Sequence, residues 1–72
     1  MKKVLNVEGM SCHHCEMRVE KSLLGLKDVK KATASHVKKI CELELKKDVS
    51  DDVLKEKVKE AGYVVTSIES LS

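Results

Sequence analysis

The sequence predicts an α+β fold in which one antiparallel sheet of four strands carries two helices on one face, all in a single domain spanning residues 1–72. Three observations predict it. Apolar residues recur at helical spacing in two stretches and at period two in the stretches between them, and the segments follow one another as strand, helix, strand, strand, helix, strand. With 72 residues and no Pro, Trp or Phe, the chain affords one small core built from Val, Leu, Ile and Ala.

The run from Lys2 to Val7 alternates weakly, with Leu5 and Val7 on one face and Lys3 and Asn6 among the others, and it stops at Gly9. It reads as the first strand. From about His14 to Leu24 the apolar or small residues Cys15, Val19, Ser22, Leu23 and Leu26 form a helical stripe, and Gly25 supplies the stop signal. Val29 to His36 carries Ala32, Ala34 and His36 on one side at period two. Lys38-Lys39 marks a polar turn, and Ile40 to Lys46 sets Cys41, Leu43 and Leu45 against Glu42 and Glu44. Together these segments predict a hairpin with one covered face. Ser50 reads as an N-cap, with Asp51 and Asp52 in the first turn of a helix whose buried stripe is Leu54, Val58 and Ala61 and whose end is Gly62. Tyr63 to Ile68 is β-rich, with Val64 and Val65 competing for the inward face.

This order is the split βαβ, or ferredoxin-like, plan. In it the exit of the first strand, the middle hairpin and the exit of the second helix all lie at one end of the sheet. Cys12 and Cys15, the stretch from His36 to Cys41, and Gly62-Tyr63 should therefore cluster despite their separation along the chain.

Composition narrows the function. Lys and Arg number 14 against 12 Asp and Glu, a net charge of +2, and Tyr63 is the sole member of the Phe, Trp and Tyr set. That charge is too small, and stacking platforms too few, to suggest a nucleic-acid partner. No apolar run approaches the ~20 residues of a membrane span, so no membrane insertion is expected. Asn6 and Glu8 interrupt any signal-peptide core after Lys2 and Lys3, which predicts a cytoplasmic protein whose thiols stay reduced. Three cysteines, an odd number, argue against a disulfide framework.

The chemistry sits in Gly9-Met10-Ser11-Cys12-His13-His14-Cys15. Two thiols three positions apart at a strand-to-helix junction turn toward one point, and the amides of the helix start favour their thiolates. Thiolates select soft metals such as Cu(I) and Zn(II), but the same spacing suits a redox dithiol. A thioredoxin-like fold would want a longer chain and usually an aromatic residue or Pro near its active site, and this chain has no Pro. No nucleophile, base and orienting group stand together, so no enzyme is expected. His13 and His14 do not complete a four-ligand zinc site, because four consecutive residues cannot all face one tetrahedral ion. Both read as solvated at the helix start, with His14 the one placed to tune the thiolates. Met10 reads as core, Met17 and Leu24 as surface, and Tyr63 as a half-buried ring whose hydroxyl reaches water. Cys41 and His36 read first as packing residues; as additional ligands they would move the site toward Zn(II) or Cd(II). Lysines 30, 31, 38 and 39 group around the hairpin, as a solvated edge or a docking patch for an acidic partner.

Gly9-Met10-Ser11-Cys12-x-x-Cys15, the following Val19, Ser22 and Leu23, and the late Gly62-Tyr63 resemble the heavy-metal-associated domain family, within it the small bacterial copper chaperones, over essentially all 72 residues. The resemblance implies that Cys12 and Cys15 bind Cu(I), that Met10 supports the loop from below and that Tyr63 shields it, with Ser11 and His14 flanking the sulfurs. It implies delivery of Cu(I), by thiolate exchange, to a copper-transporting P-type ATPase with similar domains or to a copper-responsive repressor. A monomer is expected without metal, with a metal-bridged dimer open to the loaded form. Alternatives are another thiophilic cargo, Hg(II) or Zn(II)/Cd(II), and a dithiol oxidoreductase. Two residues depart from the family pattern: His36 and Cys41 stand where aliphatic residues are usual.

Overall fold

A computed structural model describes residues 1–71, which form β1 (Lys2–Glu8), α1 (His13–Leu24), β2 (Val29–Ser35), β3 (Ile40–Leu45), α2 (Asp51–Glu60) and β4 (Val64–Ser70). The strands pair antiparallel in the order β2-β3-β1-β4, the ferredoxin-like plan. Leu5 and Val7 of β1 and Cys41, Leu43 and Leu45 of β3 point to one face, where Val19 and Leu23 of α1 and Leu54 and Val58 of α2 cover them. Ser22 ties the helices across their seam, its Oγ donating to the Lys57 carbonyl at 2.6 Å.

Two register shifts decide which side chains reach this core. Between Val29 and Lys31 the pairing with β3 slips, so Val29 and Ala34 are both buried although an odd number of positions separates them. Between Asn6 and Val7 the pairing with β4 slips too, so Val65 and Ile68, three apart, both pack inward. That resolves the competition in β4: Val64 is 60% exposed. A single extra residue in a ladder reverses the alternation beyond it, which period-two reading does not foresee.

The cap signals located the helix ends, but their chemistry differs. Ser50 is the N-cap of α2, yet its hydroxyl makes no capping bond. Gly25 caps α1 at φ −67°, an ordinary right-handed conformation. Gly62, by contrast, follows α2 at φ +96°, where a glycine is favoured. The lysine cluster divides: the β2–β3 pairing sets Lys30 and Lys31 at the Leu45 end, whereas Lys38 and Lys39 lie in the turn at the other end.

Lys3 overturns the expectation for β1. It shares the inward face with Leu5 and Val7 and is only 6% exposed. Its ammonium donates to the Val49 carbonyl at 2.9 Å and reaches Asp51 at 3.0 Å and Asp48 at 3.2 Å. Burial alone would lower its pKa, but the hydrogen bonds to Asp51 and Asp48 outweigh it and raise it above 10.5. The strand is thus fastened to the start of α2 by a buried charge whose three donors are all used.

Replacing Lys3 with Met should keep the fold and remove about 1–3 kcal/mol of stability, read from chemical denaturation, because Asp51 and the Val49 carbonyl lose their donor. Since the folded pKa is raised, this contribution is full below pH 10.5 and fades as pH climbs through the folded value. The gap between wild type and Lys3→Met should therefore narrow at strongly alkaline pH; a constant gap would show that packing alone is at stake.

Candidate metal centre

β1 ends where Gly9, at φ +102°, turns the chain away from the sheet. Met10 then inserts into the core, 7% exposed, and Ser11 and Cys12 are left on the surface before α1 begins. Cys12 is the N-cap in extended conformation, with no side-chain capping bond. The first turn is closed by the Cys15 and Glu16 amides, which donate to the Cys12 carbonyl at 3.1 and 3.3 Å. This puts the Cys12 and Cys15 sulfurs 3.9 Å apart, the first exposed and the second half-buried. No disulfide joins them.

Cys15 is the activated thiol. Its pKa falls from 9.0 to about 6, chiefly because the Ser11 amide donates to its sulfur, then because the Tyr63 hydroxyl does, then through Ser11 Oγ at 3.7 Å. Donors aimed at a thiolate favour the charged form, so Cys15 is ionised at neutral pH. Tyr63 responds in the opposite sense: its hydroxyl donates to Cys15, which raises the phenol pKa, while Arg18 pulls it down. The residue is 8% exposed rather than half-buried, and its hydroxyl engages the Cys15 sulfur and lies beside Arg18. A Cβ on Gly9 would lie 3.2 Å from Tyr63 Cδ1, so both the turn and the ring need that glycine.

Cys41 is fully buried in β3, paired with Leu5 and Ala34. Burial, with Glu20 and Glu42 nearby, pushes its thiol up to about 12. His36 lies just past β2, half-buried, with its Nδ1 on the Glu16 carboxylate at 2.7 Å. Among the described residues, no three or more His, Cys, Asp or Glu side chains are arranged to hold one metal ion. His14 is exposed on the outer side of α1, beside Met17 and Leu24, which are exposed as well.

Composition and motif reading passed over Glu16 and Glu20. Glu16 accepts from His13 Nδ1 at 2.9 Å and from the His36 amide at 2.7 Å, besides His36 Nδ1. The His36 amide is the main reason its pKa falls to about 2, with the two imidazoles adding to it. Glu20 accepts from the Ala34 amide at 2.8 Å. Their signal was present: two acids four apart, flanking the Val19 and Leu23 stripe, point past the helix toward whatever packs beside it.

The heavy-metal-associated domain family matches residues 4–64 of the chain. A relative from Staphylococcus haemolyticus named copper chaperone CopZ is 39% identical over 64 residues, which cover 88% of this chain and 94% of that protein. A solved CopZ metallochaperone superposes with a TM-score of 0.84 at 30% identity, covering 92% of this chain and 100% of that one. A copper-binding domain from a P-type ATPase superposes with a TM-score of 0.80 at 28% identity, covering 100% of this chain and 96% of that one.

The thiolate geometry makes a measurable demand. In the reduced protein, the pH dependence of alkylation should show Cys15 ionising near pH 6, and Tyr63→Phe should move that midpoint upward. An unmoved midpoint would remove the hydroxyl as a cause. Because the folded pKa is depressed, this thiolate contributes stability above pH 9.0 that is lost as pH falls through about 6. Cys15→Ser should flatten that slope.

Proposed function

This chain belongs to the heavy-metal-associated domain family, and from that membership we propose that it is a single-domain Cu(I) metallochaperone, a metal-trafficking protein and not an enzyme. One observation carries the metal: Cys12 and Cys15 present two sulfurs 3.9 Å apart at an open helix start, with no third ligand gathered beside them among the described residues. A low-coordinate pair of thiolates suits Cu(I), while Zn(II) asks for four ligands. The copper names of the sequence relatives support the same cargo. Cys41, sealed in the core with its thiol held protonated, and His36, engaged by Glu16, take no part.

Copper is passed by ligand exchange. A thiolate from the acceptor attacks the exposed ion, Cys12 leaves first, and a second acceptor thiolate displaces Cys15. The ion remains Cu(I) throughout, and each departing sulfur keeps its electron pair, Cys15 staying a thiolate at neutral pH. Cys12 leads because it is exposed and uncapped; Cys15 follows because Ser11 and Tyr63 hold its charge in place. Met10 anchors the loop and His14 stands at its rim. The acceptor is a copper-transporting P-type ATPase domain of this same fold, or a copper-responsive repressor, in the cytoplasm. The likeness to an ATPase copper-binding domain supports the first. No helix of the described residues is long and apolar enough to cross a membrane.

Anaerobic titration of the reduced protein with Cu(I), and separately with Zn(II), against competing chelators tests the reading, with X-ray absorption on the loaded samples. One Cu(I) with two or three sulfur neighbours, weak Zn(II), and loss of tight Cu(I) in Cys12→Ser are the expected results. Cys41→Val should alter copper affinity by no more than a few-fold, given its burial. Tight Zn(II) with three sulfurs and one nitrogen would overturn the assignment in favour of a divalent-metal site that includes Cys41 and His36.

A further inference from the structure

Glu16 joins His13, one of the two residues between the cysteines, to a hairpin distant in sequence. His13, the first residue of α1, gives its Nδ1–H to Oε1 at 2.9 Å, and His36 gives both its Nδ1–H and its amide to Oε2 at 2.7 Å. A carboxylate only accepts, so each imidazole is fixed as the donor at Nδ1. The Glu16 side chain is only 14% exposed, so the connection is largely shielded from water. It also has little competition. The start of α1 lacks a side-chain cap, and the Cys15 and Glu16 amides that close its first turn make bonds of only 3.1 and 3.3 Å. Ligand exchange requires Cys12 to lift away from Cys15, which unwinds that first turn and draws His13 off Glu16.

We propose that Glu16, anchored by His36 and clasping His13, is a positioning residue that gates the opening of the Cys12–Cys15 loop and so sets the rate of metal exchange, not its affinity. The inference rests on the copper-transfer reading for its consequence and on the hydrogen-bond chain for its cause. The clasp engages no sulfur, so it holds the loop closed with or without an ion between the thiolates. Its removal therefore speeds loading and release together and leaves their ratio unchanged. In release, Cu(I) leaves on the incoming donors and the cysteine sulfurs retain their electron pairs, with no change of oxidation state.

Three variants and three readouts test this. Glu16→Gln removes the charge of the clasp, and His36→Leu removes its imidazole anchor while leaving the His36 amide in place; His36→Asn keeps an amide donor close to the position of Nδ1. Stopped-flow transfer of Cu(I) from the loaded protein to a chromogenic Cu(I) chelator should run about tenfold faster in the first two, the scale of one charge-assisted hydrogen bond. Equilibrium affinity should hold within about twofold, and His36→Asn should restore the wild-type rate. Hydrogen exchange in the metal-free protein reads the gate without copper: the Cys15 and Glu16 amides should exchange about tenfold faster in His36→Leu, while those of Leu54 and Val58 in α2 keep wild-type protection. Unchanged exchange at Cys15 and Glu16 overturns the gate. Equal transfer rates overturn it as well, as does an affinity loss with unaltered loading. Weak copper binding by the wild type would sink the transfer reading alone, leaving the amide measurement to decide the clasp. His36 is partly exposed, so His36→Leu carries the test even if Glu16→Gln does not fold.

Discussion

The approach of Tyr63 to Gly9 governs where the loop bearing Cys12 can lie. β1 and β4 are adjacent strands, so the residue that opens β4 meets the residue that leaves β1. Gly9 has no side chain and adopts φ +102°, which lets the backbone turn directly over the ring. Tyr63 reaches that place because Gly62, at φ +96°, reverses the chain after α2. From there its hydroxyl meets Cys15, which the first turn of α1 holds beside Cys12. Two glycines and one ring thus connect the ends of β1 and α2 to the sulfurs. The chain has one Tyr and no Phe or Trp, and it places that ring beneath the loop while Leu and Val fill the centre.

Three cysteines occupy three electrostatic settings. Cys12 is exposed at an uncapped helix start. Cys15, a turn later, is held as a thiolate by donors from Ser11 and Tyr63. Cys41 sits in the sheet interior, where burial holds its thiol protonated and it packs as a small hydrophobe. The protein therefore needs no selective oxidation or pairing to keep the third thiol out of reach; the sheet itself does so. The difference in setting is the basis of the proposed order in which the two sulfurs release the ion.

The order of elements and the end of the sheet carrying the motif were legible because they follow from periodicity and topology. The register was not. Val29, Val65 and Ile68 face inward only because β2 and β4 each slip by a residue, and such slips arise from strand-to-strand fitting that no local pattern encodes. Lys3 was misplaced for a different reason. Period two puts it with Leu5 and Val7, but charge argued for solvent, and only the distant Asp48, Asp51 and Val49 make its burial tolerable. The motif located the cysteines, whereas the donors that activate Cys15 include a phenol 48 positions downstream whose hydroxyl the sequence pointed to water. Glu16 and Glu20 were overlooked because a charged residue on a helix ordinarily needs no explanation.

Those two glutamates have a consequence for how the molecule tolerates crowding by its own kind. β2 is an outer strand of the sheet, and an outer strand offers its outward amides to any extended chain that drifts against it. Along β2 and its exit, the Ala34 and His36 amides are already taken, one by each carboxylate of α1. A second polypeptide that tried to zip onto this edge would have to displace two half-buried carboxylates before forming its first ladder bond. The helix that carries Cys15 thereby also guards this edge against intermolecular β-pairing, a duty separate from the metal chemistry proposed for it.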